Sequence, residues 1–133
     1  MKIGPVKKPR IIREYTIDIG AIQVYENFLL CKFNEGSTLT LERAYQIIGI
    51  SEIHFRNRNF GIISVRKHAF ALDPTIYSYL RELPFLKAFA IVSLREMDMH
   101  NFNIERLFYK NPMEFFIDYR KAVSWVNNIV KAA

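Results

Sequence analysis

Residues 28–33, Phe28-Leu29-Leu30-Cys31-Lys32-Phe33, are apolar almost throughout and follow a turn signal at Glu26-Asn27. So short an apolar run reads as a strand covered on both faces, which belongs in the middle of a sheet. Two strands of different pattern precede it. In residues 11–19, Tyr15, Ile17 and Ile19 alternate with Glu14, Thr16 and Asp18, placing one face on a core and the other in water. Gly20 ends that run, and Ile22, Val24 and Tyr25 form a second short strand. Three strands in close succession predict an antiparallel meander.

Downstream the period changes. Asn34-Glu35-Gly36-Ser37 closes the meander; Thr40 is a good N-cap, and Leu41, Ala44, Tyr45 and Ile48 recur at helical spacing as far as Gly49. Phe60 to Val65 is β-branched and strand-like. Asp73-Pro74 opens a second helix whose buried face is Ile76, Tyr79, Leu80 and Leu83, and Pro84 stops it. Phe85 to Leu94 reads as a fully buried strand, and Ser93 and Glu96 have capping-box spacing. A third helix then carries an apolar stripe of Met97, Ile104, Leu107 and Phe108, ended by Asn111-Pro112. Phe115 to Ile117 is a last strand, and Asp118 caps a final helix through Ala122, Val126, Ile129 and Val130, with Trp125 packing it onto the sheet. The order β-β-β-α-β-α-β-α-β-α predicts an α/β fold. Its mixed sheet has an N-terminal antiparallel meander followed by parallel βα units, covered by four helices on right-handed crossovers.

The chain has 133 residues, 50% of them apolar and 24% charged, enough for one domain over residues 10–133 behind a flexible basic tail at residues 1–9. No apolar run reaches the length of a membrane span, and the basic start lacks the apolar core of a secretory signal. A lone cysteine, Cys31, excludes an internal disulfide and disfavours a structural zinc site; a reducing cytoplasm is the simplest home. Gly-x-Ser-x-Gly, Gly-x-Gly-x-x-Gly and P-loop patterns are absent, and His54, His68 and His100 show no ligand spacing. Cys31 reads as a small buried hydrophobe. The expectation is a protein without a catalytic group, cofactor or metal.

The net charge is +6 and unevenly spread. Lys2, Lys7, Lys8, Arg10 and Arg13 stand against Glu14 alone, and residues 53–68 carry Arg56, Arg58, Arg66 and Lys67 with no acid. Phe55 and Phe60 flank this second run but sit where a strand would bury them, which disfavours nucleic-acid stacking. Ligands of open α/β sheets bind beyond the carboxyl ends of the parallel strands. The loop Arg66-Lys67-His68 follows one such end, and Ser93-Leu94-Arg95 follows its neighbour, with helix amides behind Ser93 to attract an anion. Phe102, Tyr109 and Met113 would mark a contact surface if they formed an exposed patch.

The chain also resembles STAS-type domains, the fold of anti-sigma-factor antagonists and of the cytoplasmic tails of sulfate transporters. More narrowly, it is similar to small stand-alone bacterial STAS-like (SpoIIAA-like) proteins. The resemblance is carried by Leu72-Asp73-Pro74-Thr75-Ile76-Tyr77, by Leu86-Lys87-Ala88-Phe89-Ala90-Ile91-Val92, by Phe115-Phe116 and by Ala122-Val123-Ser124-Trp125-Val126, within about residues 10–130. It implies a non-enzymatic docking or regulatory module, here one that takes an acidic protein partner, a second copy of itself or a small anion through Arg56, Arg58, Arg66, Lys67, Ser93 and Arg95. Signalling members carry a phosphorylatable hydroxyl at the helix start after the fourth strand, in a turn with glycine. The matching stretch here holds Asp73-Pro74-Thr75, so Thr75 is the nearest candidate and Asp73 would repel its phosphate. The alternative implied by the fold is a lipid or small-molecule carrier whose pocket, among Phe89, Phe108, Phe115 and Trp125, lies between sheet and helices.

Overall fold

The computed structural model describes residues 10–133; the basic tail expected at residues 1–9 lies outside them. The central feature is a six-stranded mixed sheet. Strands β1 (Arg13–Ile17), β2 (Gly20–Val24) and β3 (Phe28–Phe33) form the antiparallel meander, with Tyr15 opposite Ile22 and Ile22 opposite Cys31. The turn before β3 closes through the Tyr25 amide on the Phe28 carbonyl at 2.9 Å. Gly20 is obligatory because a Cβ there would lie 2.0 Å from the Lys32 carbonyl oxygen.

Two-residue strands β4 (Thr38–Leu39) and β6 (Ala71–Leu72) make a separate parallel ribbon. They are too short to carry a readable period. Parallel pairing extends the main sheet from β3 through β5 (Phe60–Val65) and β7 (Leu86–Val92) to β8 (Met113–Phe116), in the order β1-β2-β3-β5-β7-β8. Helices α1 (Leu41–His54), α2 (Ile76–Leu80) and α3 (Glu96–Tyr109) cover one face, where Ile22, Leu29, Ile62 and Phe89 meet Ile47, Ile76, Tyr77 and Phe102. Helix α4 (Tyr119–Ala132) covers the other with Ala122, Val123, Val126 and Val130 over Phe28, Leu30, Ile63, Ala88 and Ala90. Small residues let α4 approach closely: a Cβ on Gly61 would fall 2.4 Å from Val126 Cγ1. Trp125 packs against Phe116, ring centroids 5.6 Å apart.

The fold is therefore the expected α/β arrangement of meander, parallel units and four helices. Several local expectations are corrected. Helix α1 runs past Gly49 to His54. Helix α2 begins after Thr75, because the Asp73 carboxylate accepts from the Thr75 amide at 3.0 Å and makes a turn first. Its buried aromatic is Tyr77, while Tyr79 faces out. The α3 stripe is inverted: Asp98, Phe102, Glu105 and Tyr109 are buried, whereas Met97, Ile104 and Leu107 are exposed. Phe102, Tyr109 and Met113 consequently form no surface patch.

Candidate functional site at the carboxyl ends of the parallel strands

Side chains alternate along β5, so Arg66 follows Ser64 and Ile62 toward the α1–α3 side while Val65 and Lys67 take the opposite side. Arg66 is 6% exposed. Its guanidinium donates as a fork to Glu105 Oε2 at 2.9 Å and Oε1 at 3.0 Å, and donates to the Tyr77 hydroxyl at 3.2 Å. Tyr77 in turn donates to Glu105 Oε1 at 2.9 Å. Phe70 lies under the guanidinium at 5.0 Å. Burial disfavours the Arg66 charge, but Tyr77 and Glu105 outweigh it and drive the guanidinium pKa further up. Burial likewise pushes the Tyr77 hydroxyl up, so this group stays a neutral donor. The cluster joins β5, α2 and α3 as an internal clasp. Arg66 is thereby removed from any partner-facing surface.

The neighbouring strand end is also engaged by its own side chains. Ser93 Oγ accepts from the Arg95 amide at 2.9 Å and donates to Asp98 Oδ2 at 2.6 Å, and Arg95 Nε stands 3.4 Å from the same carboxylate. The expected Ser93–Glu96 capping box does not form: Glu96 is exposed, and Ser93 is engaged by Asp98 instead. An acidic side chain in the first turn of α3 already meets the positive helix end, where an anion was expected. Ser93 is therefore not a free donor.

Arg56 and Arg58 lie before β5, at the far end of a six-residue strand from Lys67, a span of about 20 Å. Arg58 donates to the carbonyls of Glu26 at 2.7 Å and His54 at 3.3 Å and stacks over Phe55 at 4.9 Å, which ties the end of α1 to the meander. Arg56 borders a wide groove of about 590 Å³ beside Glu52 and Phe85. The basic run 53–68 is thus split between opposite ends of the molecule rather than gathered into one patch. Thr75 is exposed beside Asp73, whose carboxyl is held below its ordinary value by the Thr75 amide.

The sequence reading missed Lys32. The sheet register sets Thr16 opposite Ala21, Ala21 opposite Lys32 and Lys32 opposite Val65, a row crossing four strands. This row floors a shallow depression of about 320 Å³ whose walls include Lys32, Lys67, His68 and Asn34. Among the described residues, no acidic side chain lines it. Asp18, on the β1–β2 turn, is held by Arg43 through bonds of 3.0 and 2.7 Å. The signal was present in the sequence, since Lys32 is the one charged residue in an otherwise apolar strand and so must face water.

Of the remaining reactive groups, one lies in the core and one pair is half-buried at its edge. Cys31 is buried, and burial pushes its thiol pKa up to about 12. The Tyr15 hydroxyl and His54 Nε2 are hydrogen-bonded at 2.7 Å. Phe89 packs edge-on against Tyr77 and Phe115 against Phe102, while Trp125 belongs to the opposite face. The enclosed space beside Arg66 and Phe70, between sheet and helices, amounts to about 30 Å³. That is room for a water molecule rather than a lipid. No helix among the described residues is long and apolar enough to cross a membrane. Compared with known proteins, the chain matches no family model, no curated protein and no solved structure.

Proposed function

We propose that this chain is a non-enzymatic interaction module of STAS type that takes an acidic segment of a protein partner into the depression beyond β3 and β5. The observation that carries the reading is the convergence of Lys32, Lys67 and His68 on one open concavity whose lining, among the described residues, carries no acid. Such a surface steers and orients an anionic partner, with modest affinity and marked salt dependence. Lysine suits this role, being a compact hydrated charge on a flexible stem. The STAS resemblance supports a docking role, and the engagement of Cys31, Ser93 and Arg66 in internal structure is consistent with it.

The test is an NMR titration of the labelled protein with a glutamate-rich peptide and with its glutamine counterpart. The glutamate peptide is expected to shift the amides of Lys32, Val65 and Lys67, with weakening as salt rises. Replacing both lysines in Lys32→Ala/Lys67→Ala removes two surface charge contacts worth about 0.5–1 kcal/mol each, a loss of about 5- to 30-fold in affinity. Equal binding of the two peptides, or unchanged affinity in the double variant, would retire the proposal.

A further inference from the structure

Helix α3 is apolar on the side that should be wet. Met97 is 60% exposed, Ile104 47% and Leu107 65%, and Leu94 just before the helix is 83% exposed. With His100, the helical positions 97, 100, 104 and 107 step by three, four and three, the spacing of a coiled-coil seam. The seam lies away from the face of Asp98, Phe102, Glu105 and Tyr109 that packs inward. It is also separate from the depression, which opens on the α4 side of the sheet. Surface methionines and leucines at seam spacing mark a contact, and the charges at the two helix ends say with what.

Glu96 starts α3 and Lys110 caps it; both are exposed, and neither joins an ion pair among the described residues. We propose that the chain forms a two-fold homodimer in which α3 packs antiparallel against α3 of a second copy. The two-fold axis sets Met97 against Leu107 and His100 against Ile104, each pairing occurring twice. The same axis brings Glu96 opposite Lys110 of the second copy, again twice. A parallel pair would instead gather both Glu96 side chains at one end and both Lys110 side chains at the other, without pairing them, and would align the helix dipoles unfavourably. Charge therefore selects the antiparallel second copy. A 14-residue helix is about 21 Å long and supplies only part of the roughly 800 Å² per partner of a standard interface, so the dimer is a weak one with Kd on the order of micromolar.

Sedimentation equilibrium of the full chain over a wide concentration range tests this. The expected result is reversible monomer–dimer exchange. Ile104→Glu should weaken it about 100-fold or more by placing a charge in the seam, while leaving the melting temperature of the dilute monomer unchanged. Glu96→Lys and Lys110→Glu should each weaken it about tenfold, and the double exchange Glu96→Lys/Lys110→Glu should bring it back to within about twofold of the starting value. A chain that stays monomeric at all concentrations, or a dimer indifferent to Ile104→Glu, overturns the proposal. Failure of the double exchange to recover association overturns the antiparallel pairing.

Discussion

Replacing Arg66 by alanine separates a structural charge from a binding one. In the native protein, Arg66 satisfies both carboxylate oxygens of Glu105 and contacts the Tyr77 hydroxyl, and the side chains of Arg66 and Glu105 are each 5% exposed. Arg66→Ala leaves a buried carboxylate without its counter-charge, which costs about 3–5 kcal/mol. Unfolding entropy of about 2.1 cal/mol/K per residue gives about 0.28 kcal/mol/K for a chain of 133 residues, so the melting temperature should fall by about 11–18 °C. Lys67→Ala, one residue away and exposed, is the control and should stay within about 0.5 kcal/mol of the parent. Differential scanning calorimetry on both variants reads the contrast. Replacing the whole pair, as in Arg66→Met/Glu105→Leu, should recover much of the loss, because two matched apolar side chains leave no buried charge unpaired. An Arg66→Ala protein that melts within about 3 °C of the parent would refute the clasp.

Two further predictions concern the core. Gly61→Ala forces a methyl group to 2.4 Å from Val126 Cγ1 and 3.1 Å from the Ala88 carbonyl oxygen, and should cost about 1–3 kcal/mol in urea unfolding; a neutral result would mean that α4 is free to lift. Cys31 gives a pH dependence. Its thiol ionises near 9 when unfolded and at about 12 when folded, so the unfolded state holds fewer protons above pH 9. The contribution is intact below pH 9 and is lost as pH climbs toward 12, at up to about 1.4 kcal/mol per pH unit. Cys31→Ala should flatten the alkaline fall in unfolding free energy by that slope, and an unchanged slope would assign the fall to the buried tyrosines.

Most of the architecture could be read directly, because burial leaves a period in the sequence. Alternation in residues 13–17 and apolar runs at 28–33 and 86–92, each interrupted by a single lysine, distinguish the wet edge of the sheet from its middle. The inversion of α3 has a definite cause. Glu105 is buried because Arg66, 39 residues away, and Tyr77, 28 residues away, come to meet it; Asp98 is buried beside Ser93. Partners so distant leave no local trace, and a rule that sends charge outward turns the helix over. The same rule counted Arg66 among the surface cations. The depression was half legible: the β5 exit was recognised, but Lys32 joins Lys67 only once parallel pairing sets β3 beside β5. Arg56 and Arg58 looked like neighbours of Lys67 because closeness along a strand was mistaken for closeness on a surface.

The unequal clothing of the sheet has a consequence for biosynthesis. One whole side, with Phe28, Leu30, Ile63, Ala88 and Ala90, is sealed among the described residues by residues 119–132. During translation these side chains stay wet until that segment has left the ribosome, however early the meander pairs. The nascent chain thus passes through an interval in which it is adhesive, and a product broken off before residue 119 would retain that adhesive side and be a natural client for chaperones.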